Sequence, residues 1–229
     1  MRKHKVYANQ QLVDSYEYRH FGGSGGRRVF QVDCATLESL VGDPCGRILD
    51  IPCGTGVYTL SFMDTGYDIV AADASRQMLE KTGQKRGGIP RVLCDVNRLP
   101  FYAGAFDAVM TVRLFQHLPG DAVTRILREL KRVTGSGGIV VFDTFRWSPR
   151  RMRVLKRFFR GEMYVYPHRV VEKMIEQAGL RKVEERSLYL FSPLLYRKIP
   201  SWLLRGLQAV EKALPQRWLL RTFWACTES

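Results

Sequence analysis

The sequence predicts an α/β fold in which a doubly wound, mostly parallel sheet is covered by helices on both faces. From residue 47 to residue 145, short and nearly continuous apolar runs alternate with helical patterns. Such runs are typical of strands buried on both sides, and helices between them favour parallel pairing. The five candidate strands here are 47–51, 68–73, 91–95, 106–112 and 137–145. The candidate helices between them are 56–63, 75–86 and 121–134.

The C-terminal third adds two candidate strands, which makes seven, and breaks the alternation. Residues 166–178 have a helical pattern, 180–190 are predicted as the sixth strand, and 222–228 as a strand that closes the sheet at its edge. Residues 193–221 have the pattern of one or two amphipathic helices interrupted by prolines. We therefore expect a helical insertion near the C-terminus.

The length of 229 residues suits one sizeable hydrophobic core, so we expect residues 1–229 to form one domain. Its expected parts are an N-terminal helical region at 1–45, a core at 46–145, a basic insert at 146–165 and a C-terminal part at 166–229. No run of 18 apolar residues is present, and the basic N-terminus has no apolar stretch behind it. We therefore expect neither a membrane span nor a secretory signal.

The five cysteines are scattered and never spaced as C-x-x-C, which argues against a disulfide framework and against a zinc site. The pattern favours a reduced, cytoplasmic setting. The formal net charge of +14 is concentrated near the C-terminus, because residues 146–221 carry 18 basic and 6 acidic residues. Such a surface suggests an anionic partner, which is a nucleic acid, a membrane surface or a phosphorylated substrate. The alternative is a solvated surface that only aids solubility.

The stretch RILDIPCGTG ends a predicted strand on Asp50 and then turns through Gly54 and Gly56. A dinucleotide fingerprint is incomplete because Thr59 stands where a third glycine is expected, and Asp50 would repel a pyrophosphate. No G-K-[ST] follows, which excludes a Walker-type phosphate loop. A carboxylate here suits a ligand with an ammonium group, such as S-adenosylmethionine. A plain strand-to-helix turn is the alternative.

Two more strand ends carry aspartates. Asp73 ends the second predicted strand, where a carboxylate can accept both hydroxyls of a ribose. Asp95 ends the third, at the position for an adenine amino group. Each has a structural alternative: Asp73 or the neighbouring Ser75 would cap the next helix, and Asp95 would cap a turn. Three carboxylates on one edge of a sheet favour a ligand site.

With these motifs the sequence resembles the class I S-adenosylmethionine-dependent methyltransferases, in the group that includes ubiquinone and menaquinone methyltransferases. The resemblance runs from about Arg47 to Phe145. It covers LDIPCGTG, the segment from 71 to 79, CDVNRLPF, FDAVMTVRLFQHLP and LKRVTGSGGIVVFDTF. It implies a Rossmann-like sheet, S-adenosylmethionine as the methyl donor and S-adenosylhomocysteine as the product.

The resemblance also implies roles for individual residues. Asp50, Gly54 and Gly56, with Pro52 and Cys53 in the same loop, would line the methionine end of the donor, and Asp73 would bind its ribose. Around the adenine and the donor's amino group it implies Ala74, Met78, Asp95, Val96 and the carbonyl of Val112. Pro52 departs from the common glycine and removes one N–H, and Cys53 is expected to pack.

Residues 15–28 resemble the flexible lid of related enzymes, in which Tyr16 would cover the donor and Arg27 would meet its carboxylate. A mobile glycine-rich linker is the alternative. His117 follows the fourth predicted strand and is the candidate general base, if the acceptor arrives protonated. Its alternative is a histidine at a helix end. Tyr164, Tyr166 and His168 are candidates for the acceptor pocket, or residues that open a surface helix. No metal-ligand pattern is visible.

These features predict in-line methyl transfer to a small-molecule acceptor that is lipid-like or lipid-linked, of quinone, isoprenoid or glycan type. The amphipathic segment 193–221 motivates this prediction, because amphipathic basic segments can bind the surface of anionic membranes. The expected location is then the cytoplasm, with peripheral contact at the inner face of the membrane. The same segment would otherwise only cap the pocket. RNA methylation is the second reading, supported by the basic region. A non-catalytic partner subunit is the third, and the three strand-end carboxylates argue against it.

Overall fold

The computed structural model describes residues 10–42, 46–146, 163–191, 193–196 and 199–229. The strands are β1 (Arg47–Asp50), β2 (Asp68–Asp73), β3 (Arg91–Leu93), β4 (Phe106–Thr111), β5 (Thr134–Phe145), β6 (Leu180–Leu188) and β7 (Arg221–Glu228). The helices are α1 (Gln10–Phe21), α2 (Gly23–Val41), α3 (Val57–Asp64), α4 (Arg76–Lys85), α5 (Gly120–Val133), α6 (His168–Gln177), α7 (Pro193–Tyr196) and α8 (Ser201–Ala213). Short 3₁₀ turns lie at Phe115–His117 and Gln216–Trp218.

The sheet has seven strands in the order β3-β2-β1-β4-β5-β7-β6. Every pair from β3 to β5 is parallel, and β7 is antiparallel to both of its neighbours. The order reverses between β1 and β4, so the loops after these two strands flank a crevice at the carboxyl edge. Ligands of doubly wound sheets bind at this point. The predicted fold class is confirmed.

Helices cover both faces because side chains of each strand alternate between two cores. On β1, Leu49 contacts one core and Ile48 the other, and on β7 Trp224 and Phe223 divide in the same way. The first core includes α5 and α6, and the second includes α2 and α3. The predicted apolar strands are therefore buried on both sides.

Three predictions about elements are corrected. The strand at 222–228 is not the edge: β7 lies between β5 and β6, and β6 is the edge strand. The third strand ends at Leu93, so Asp95 lies beyond it. Residues 15–28 are not a mobile linker, because they belong to α1 and α2 on either side of Gly22. The predicted basic insert at 146–165 lies mostly outside the described residues.

The predicted C-terminal insertion consists of the short helix α7, the longer helix α8 and a 3₁₀ turn before β7. Leu204 of α8, together with Tyr189 and Tyr196, packs on Val29 of α2. Another side of α8 carries exposed apolar side chains, with Leu203 47% and Val210 51% accessible, and Trp218 beyond the helix is 53% accessible. Among the described helices, none combines the length and the hydropathy needed to cross a bilayer.

A buried ion-pair network ties helix α2 to the carboxyl edge of the sheet. Arg221, at the start of β7, donates from Nη1 to Asp33 Oδ2 of α2 and from Nε to Asp143 Oδ2 of β5, both at 2.6 Å. All three side chains are at most 2% exposed. Burial alone would lower the pKa of Arg221, but the charges of Asp143 and Asp33 raise it well above its usual value.

Two tyrosines complete this network through Asp33. Tyr58 of α3 donates to Asp33 Oδ2 at 2.8 Å, and Tyr189 donates to Oδ1 at 2.7 Å. Burial raises the pKa of both phenols well above its usual value, and the charge of Asp33 adds to the shift. The network therefore joins α2, α3, β5 and β7 around the crevice.

Candidate functional site

The loop between β1 and α3 forms one wall of the crevice. Gly54 and Gly56 both have left-handed backbone conformations, with φ of 55° and 76°. A Cβ on Gly56 would approach Thr82 Cγ2 to 2.5 Å, whereas a Cβ on Gly54 would meet no protein atom within 4 Å. Gly56 is thus needed for helix packing as well as for the turn. Gly54 faces open space, as a residue that lies against a ligand should.

Asp50 lies beneath this loop and is 1% exposed. Its Oδ2 accepts a hydrogen bond from Thr59 Oγ1 at 2.6 Å, while its Oδ1 is buried and has no partner among the described residues. Burial raises the pKa of Asp50 to about 7, and the nearby charge of Asp73 adds to the shift. A buried carboxylate oxygen without a donor is suited to a cationic ligand.

Asp73 ends β2 and holds the loop from the other side. Its Oδ2 accepts from the Gly54 N–H at 2.9 Å, and its Oδ1 from the Ser75 N–H at 2.8 Å. Ser75 is the N-cap of α4, since its Oγ accepts from the Met78 N–H at 3.3 Å. The capping alternative therefore applies to Ser75. Asp73 fixes Gly54 through its contact with the Gly54 N–H.

Asp95 does not join the other two aspartates at a strand end. It is exposed two residues beyond β3, where its Oδ1 accepts from the backbone N–H of Asn97 at 2.9 Å and from the side-chain amide at 2.6 Å. The turn-capping alternative is the observed arrangement. Val96, next to it, is half-buried against the first core.

The remaining predicted donor residues lie along the same edge. Ala74 is half-buried after β2, Met78 is 2% exposed in α4, and Val112 is 5% exposed just past β4. Cys53 packs with Ala71, Leu79 and Ile89, as expected of a packing residue. Burial raises the pKa of the Cys53 thiol well above its usual value. Pro52 is half-buried in the loop.

Helix α1 is linked to the loop through Lys85 of α4. The Nζ of Lys85 donates to the carbonyl of Thr55 at 2.7 Å and pairs with the carboxylate of Glu17. Tyr16 is half-buried on the same helix, and Arg27 is exposed near the start of α2. The segment predicted as a lid thus lies beside the loop as two helices.

His117 is half-buried in the 3₁₀ turn that follows β4, and its Nε2 lies 3.3 Å from Gln116 Nε2. The Tyr164 N–H donates to the Gln116 carbonyl at 2.8 Å, and the ring of Tyr164 stacks on Tyr166. The turn, His117 and Tyr164 therefore form one corner of the carboxyl edge. Tyr166 is 9% exposed, and its hydroxyl donates to the Leu118 carbonyl.

His168 lies outside this corner, because it is the first residue of α6. This agrees with the alternative in which it opens a surface helix. Its Nε2 lies 2.8 Å from Glu185 Oε2, and its Nδ1 lies 3.2 Å from Glu172 Oε2. These three side chains are close enough to hold a metal ion. The Nζ of Lys182, however, donates to both carboxylates at 2.8 and 2.9 Å. We interpret the group as an ion-pair network on the edge strand.

Unpaired polar atoms concentrate at the crevice. Among the described residues, four of the buried side-chain oxygens without a hydrogen-bond partner follow or end β1 and β4: Asp50 Oδ1, Thr55 Oγ1, Thr111 Oγ1 and Gln116 Oε1. Buried polar atoms are normally paired, so such a group requires an explanation. A polar ligand between the two strand ends provides one.

The raised pKa of Asp50 predicts a pH-dependent stability. The folded chain keeps a proton on Asp50 up to about pH 7, whereas the unfolded chain releases it near its ordinary value. This contribution is therefore full below about pH 4 and is lost as the pH rises through about 7. From about pH 5 to about pH 8 we expect it to lower the free energy of unfolding by on the order of 2–3 kcal/mol.

Chemical denaturation of wild-type protein and of Asp50→Asn at several pH values measures this effect. In Asp50→Asn the free energy of unfolding is expected to lack this decrease with pH, whatever the absolute stability of the variant. Equal slopes for the two proteins between these pH values would contradict the assignment.

Comparison with known proteins agrees with the geometry. Residues 49–142 match the family model described as a methyltransferase domain. The chain is 38% identical over 118 residues to a demethylmenaquinone methyltransferase of Beutenbergia cavernae, covering 50% of this chain and 48% of that protein. It thus spans about half the length of that relative. It is 34% identical over 171 residues to the same enzyme of a Mycobacterium species, covering 66% of this chain and 70% of the relative.

A solved structure has the same fold. The geranyl diphosphate C-methyltransferase of Streptomyces coelicolor A3(2), in complex with Mg²⁺, geranyl diphosphate and S-adenosylhomocysteine, superposes with a TM-score of 0.67 at 16% identity. The superposition covers 89% of this chain and 82% of that one. Three observations indicate the same family: the sequence motifs, the strand order of the sheet and the match over 171 residues to the mycobacterial enzyme. The chain belongs to the class I S-adenosylmethionine-dependent methyltransferases.

Proposed function

We propose that the chain transfers the methyl group of S-adenosylmethionine to a small lipid-like acceptor, of which a quinone is the best supported. The assignment of S-adenosylmethionine as the donor rests on Asp50, a buried carboxylate with one unpaired oxygen. Asp50 lies beside a glycine turn that Asp73 holds. The proposal of a quinone acceptor is supported by the similarity to demethylmenaquinone methyltransferases and by the exposed apolar side chains of α8.

The residues of the crevice fit the donor. Asp50 Oδ1 suits its ammonium group, and the open side of Gly54 suits its ribose and methionine portion. We assign the ribose hydroxyls to Asp73 at the end of β2, and Ala74 and Met78 follow it where the adenine would pack. Asp95 and Val96 lie in the turn after β3, and we keep them as the proposed residues at the polar edge of the adenine. We propose that the backbone carbonyl of Val112 accepts a hydrogen bond from the amino group of the donor.

S-adenosylmethionine supplies an activated methyl group on a sulfonium, so the protein chiefly has to position the two reactants and exclude water. Asp73 fixes the loop through Gly54, and the Lys85 contacts hold α1 against that loop. Tyr16 is the residue of α1 that we assign to covering the donor. An ammonium beside Asp50 favours the ionised carboxylate, so Asp50 releases its proton when the donor binds.

His117 is the candidate base on the acceptor side. Its half-buried ring lies in the turn after β4, at the corner shared with Gln116 and Tyr164. A hydroxyl acceptor would pass its proton to a ring nitrogen as the methyl group moves. Gln116 Oε1, which has no partner among the described residues, is available to orient that acceptor.

An anionic membrane surface is the proposed site of acceptor access. Leu203 and Val210 lie seven residues apart and so share one side of α8, and the exposed Trp218 and Arg217 follow them. Apolar side chains beside basic ones suit a membrane interface with negative headgroups. The basic excess of residues 146–221 supports the same partner.

Transfer of labelled methyl groups to a panel of acceptors tests the proposal. We expect incorporation into a demethylated quinone with an isoprenoid tail, stimulated by anionic vesicles. Replacement of His117 by alanine is expected to lower the rate at least ~100-fold while donor binding is retained. Incorporation into bulk RNA, with none into quinones, would favour the RNA alternative and overturn the acceptor assignment.

The membrane contact has a matched control on the same helix. Leu203→Asp combined with Val210→Asp is expected to abolish sedimentation with anionic vesicles, whereas Ala209→Asp, which adds a charge at another exposed position of α8, is expected to leave most of it. Equal binding of both variants would show that this side of α8 does not meet the lipid.

A further inference from the structure

Arg113 has a backbone conformation that is unusual for its residue type. Its φ is 64°, and among the described residues the only other non-glycine with a positive φ is Tyr189. A bulky side chain in this region is strained, and such strain persists where surrounding contacts impose it, often at functional sites. Arg113 follows Val112 directly, at the carboxyl end of β4.

The buried network imposes this conformation. The Arg113 N–H donates to Asp143 Oδ1 at 2.6 Å, and Asp143 Oδ2 in turn accepts from Arg221 Nε. Asp143 is 2% exposed and so cannot turn to water. The chain leaves β4 with the Arg113 side chain directed towards the N-terminal helices.

The guanidinium of Arg113 lies over the ring of Phe21, 5.6 Å from its centroid. Phe21 ends α1 and makes an edge contact with Tyr58, in the first turn of α3. No described residue offers this half-buried guanidinium a carboxylate or a carbonyl oxygen within hydrogen-bond distance. Its fork of donors is therefore available to an anion.

Asp50 and Arg113 lie at the carboxyl ends of two neighbouring strands. β1 and β4 are neighbours in the sheet, with Asp50 paired to Met110, and the Ile51 N–H donates to the Met110 carbonyl at 3.0 Å. After Asp50 the chain enters the glycine loop, whereas after Met110 it runs through the end of β4 at Thr111 and on to Arg113. The unpaired Asp50 Oδ1 and the Arg113 guanidinium thus belong to neighbouring strand ends on the carboxyl edge of the sheet.

We propose that Arg113 binds the carboxylate of the donor's methionine portion, while Asp50 binds its ammonium group. Asp143 and Arg221 act as positioning residues, because they hold the backbone of Arg113. Arg27, to which the resemblance assigned this contact, is exposed on α2. The inference rests on the proposed function, since it names the contact partner of the same donor.

Two ligands that differ by one group test the contact. S-adenosylhomocysteine has the carboxylate, whereas S-adenosyl-3-thiopropylamine has the amino group but no carboxylate. Calorimetric titration of wild-type protein is expected to give an affinity roughly 30-fold higher for the first ligand. In Arg113→Gln this preference is expected to disappear, through weaker binding of S-adenosylhomocysteine alone. Arg113→Lys is expected to retain part of it.

Arg113→Gly controls for folding, because glycine relieves the positive φ and removes the guanidinium. We expect it to unfold within a few degrees of wild type and to show the same loss as Arg113→Gln. If the Gln and Gly variants keep the wild-type preference, or if Arg27→Gln abolishes it instead, the inference is wrong. If wild-type protein binds neither ligand, the proposed function fails, and this inference with it.

Discussion

Replacement of Arg221 by methionine is expected to lower the free energy of unfolding by about 3–5 kcal/mol, since it leaves two buried carboxylates without their cation. Asp33 and Asp143 each accept a 2.6 Å hydrogen bond from Arg221, and neither reaches solvent. Methionine fills much of the space but neutralises nothing. Chemical denaturation at constant pH measures the loss.

Two comparisons separate the lost ion pairs from a general effect of the substitution. Arg217→Met removes an exposed arginine from the neighbouring 3₁₀ turn and is expected to change stability by less than ~0.5 kcal/mol. Adding Asp33→Asn and Asp143→Asn to Arg221→Met is expected to recover part of the loss, because the buried charges are removed together. If Arg221→Met alone were as stable as the wild-type protein, the stabilising role of the network would be contradicted.

Replacement of Asp73 by alanine is expected to weaken binding of S-adenosylhomocysteine at least ~100-fold. The substitution removes the proposed acceptor of the ribose hydroxyls and also frees the Gly54 N–H that Asp73 holds at 2.9 Å. Loop and ligand are thus affected together. Titration calorimetry gives the affinity, and thermal unfolding checks that the variant is folded.

Asp68→Ala is the matched control for Asp73→Ala. Asp68 begins the same strand, is exposed, and pairs with Arg47 at 3.1 Å far from the carboxyl edge. We expect donor affinity within ~3-fold of wild type for this variant. Equal affinities for Asp73→Ala and Asp68→Ala would contradict the proposed role of Asp73.

The core strands and helices could be predicted from the sequence because apolar periodicity is a local property. The β7 error shows the limit of such patterns, since pairing partners are not local. Its residues 221–226 are all buried, and the run TFWAC has few polar positions. A nearly continuous apolar run is typical of an interior strand. That signal favours the observed place between β5 and β6.

The two aspartates next to the glycine loop were predictable, whereas the other charged groups of the crevice were not. Asp33 and Arg221 are 188 positions apart in the chain, so no motif relates them. The positive φ of Arg113 is equally invisible, because it follows from a contact with Asp143. The predicted third strand extends two residues beyond the observed end of β3 at Leu93, so Asp95 lies in the following turn, because sequence patterns are least reliable at the ends of elements.

Titration of the wild-type protein with S-adenosylhomocysteine near pH 8 tests the donor site most directly. At this pH Asp50 is largely ionised even without ligand, so the crevice has the charge that an ammonium group requires. We predict saturable binding of one ligand per chain in the micromolar range or tighter. The absence of both heat and thermal stabilisation at millimolar ligand would contradict the assignment of this crevice to the methyl donor.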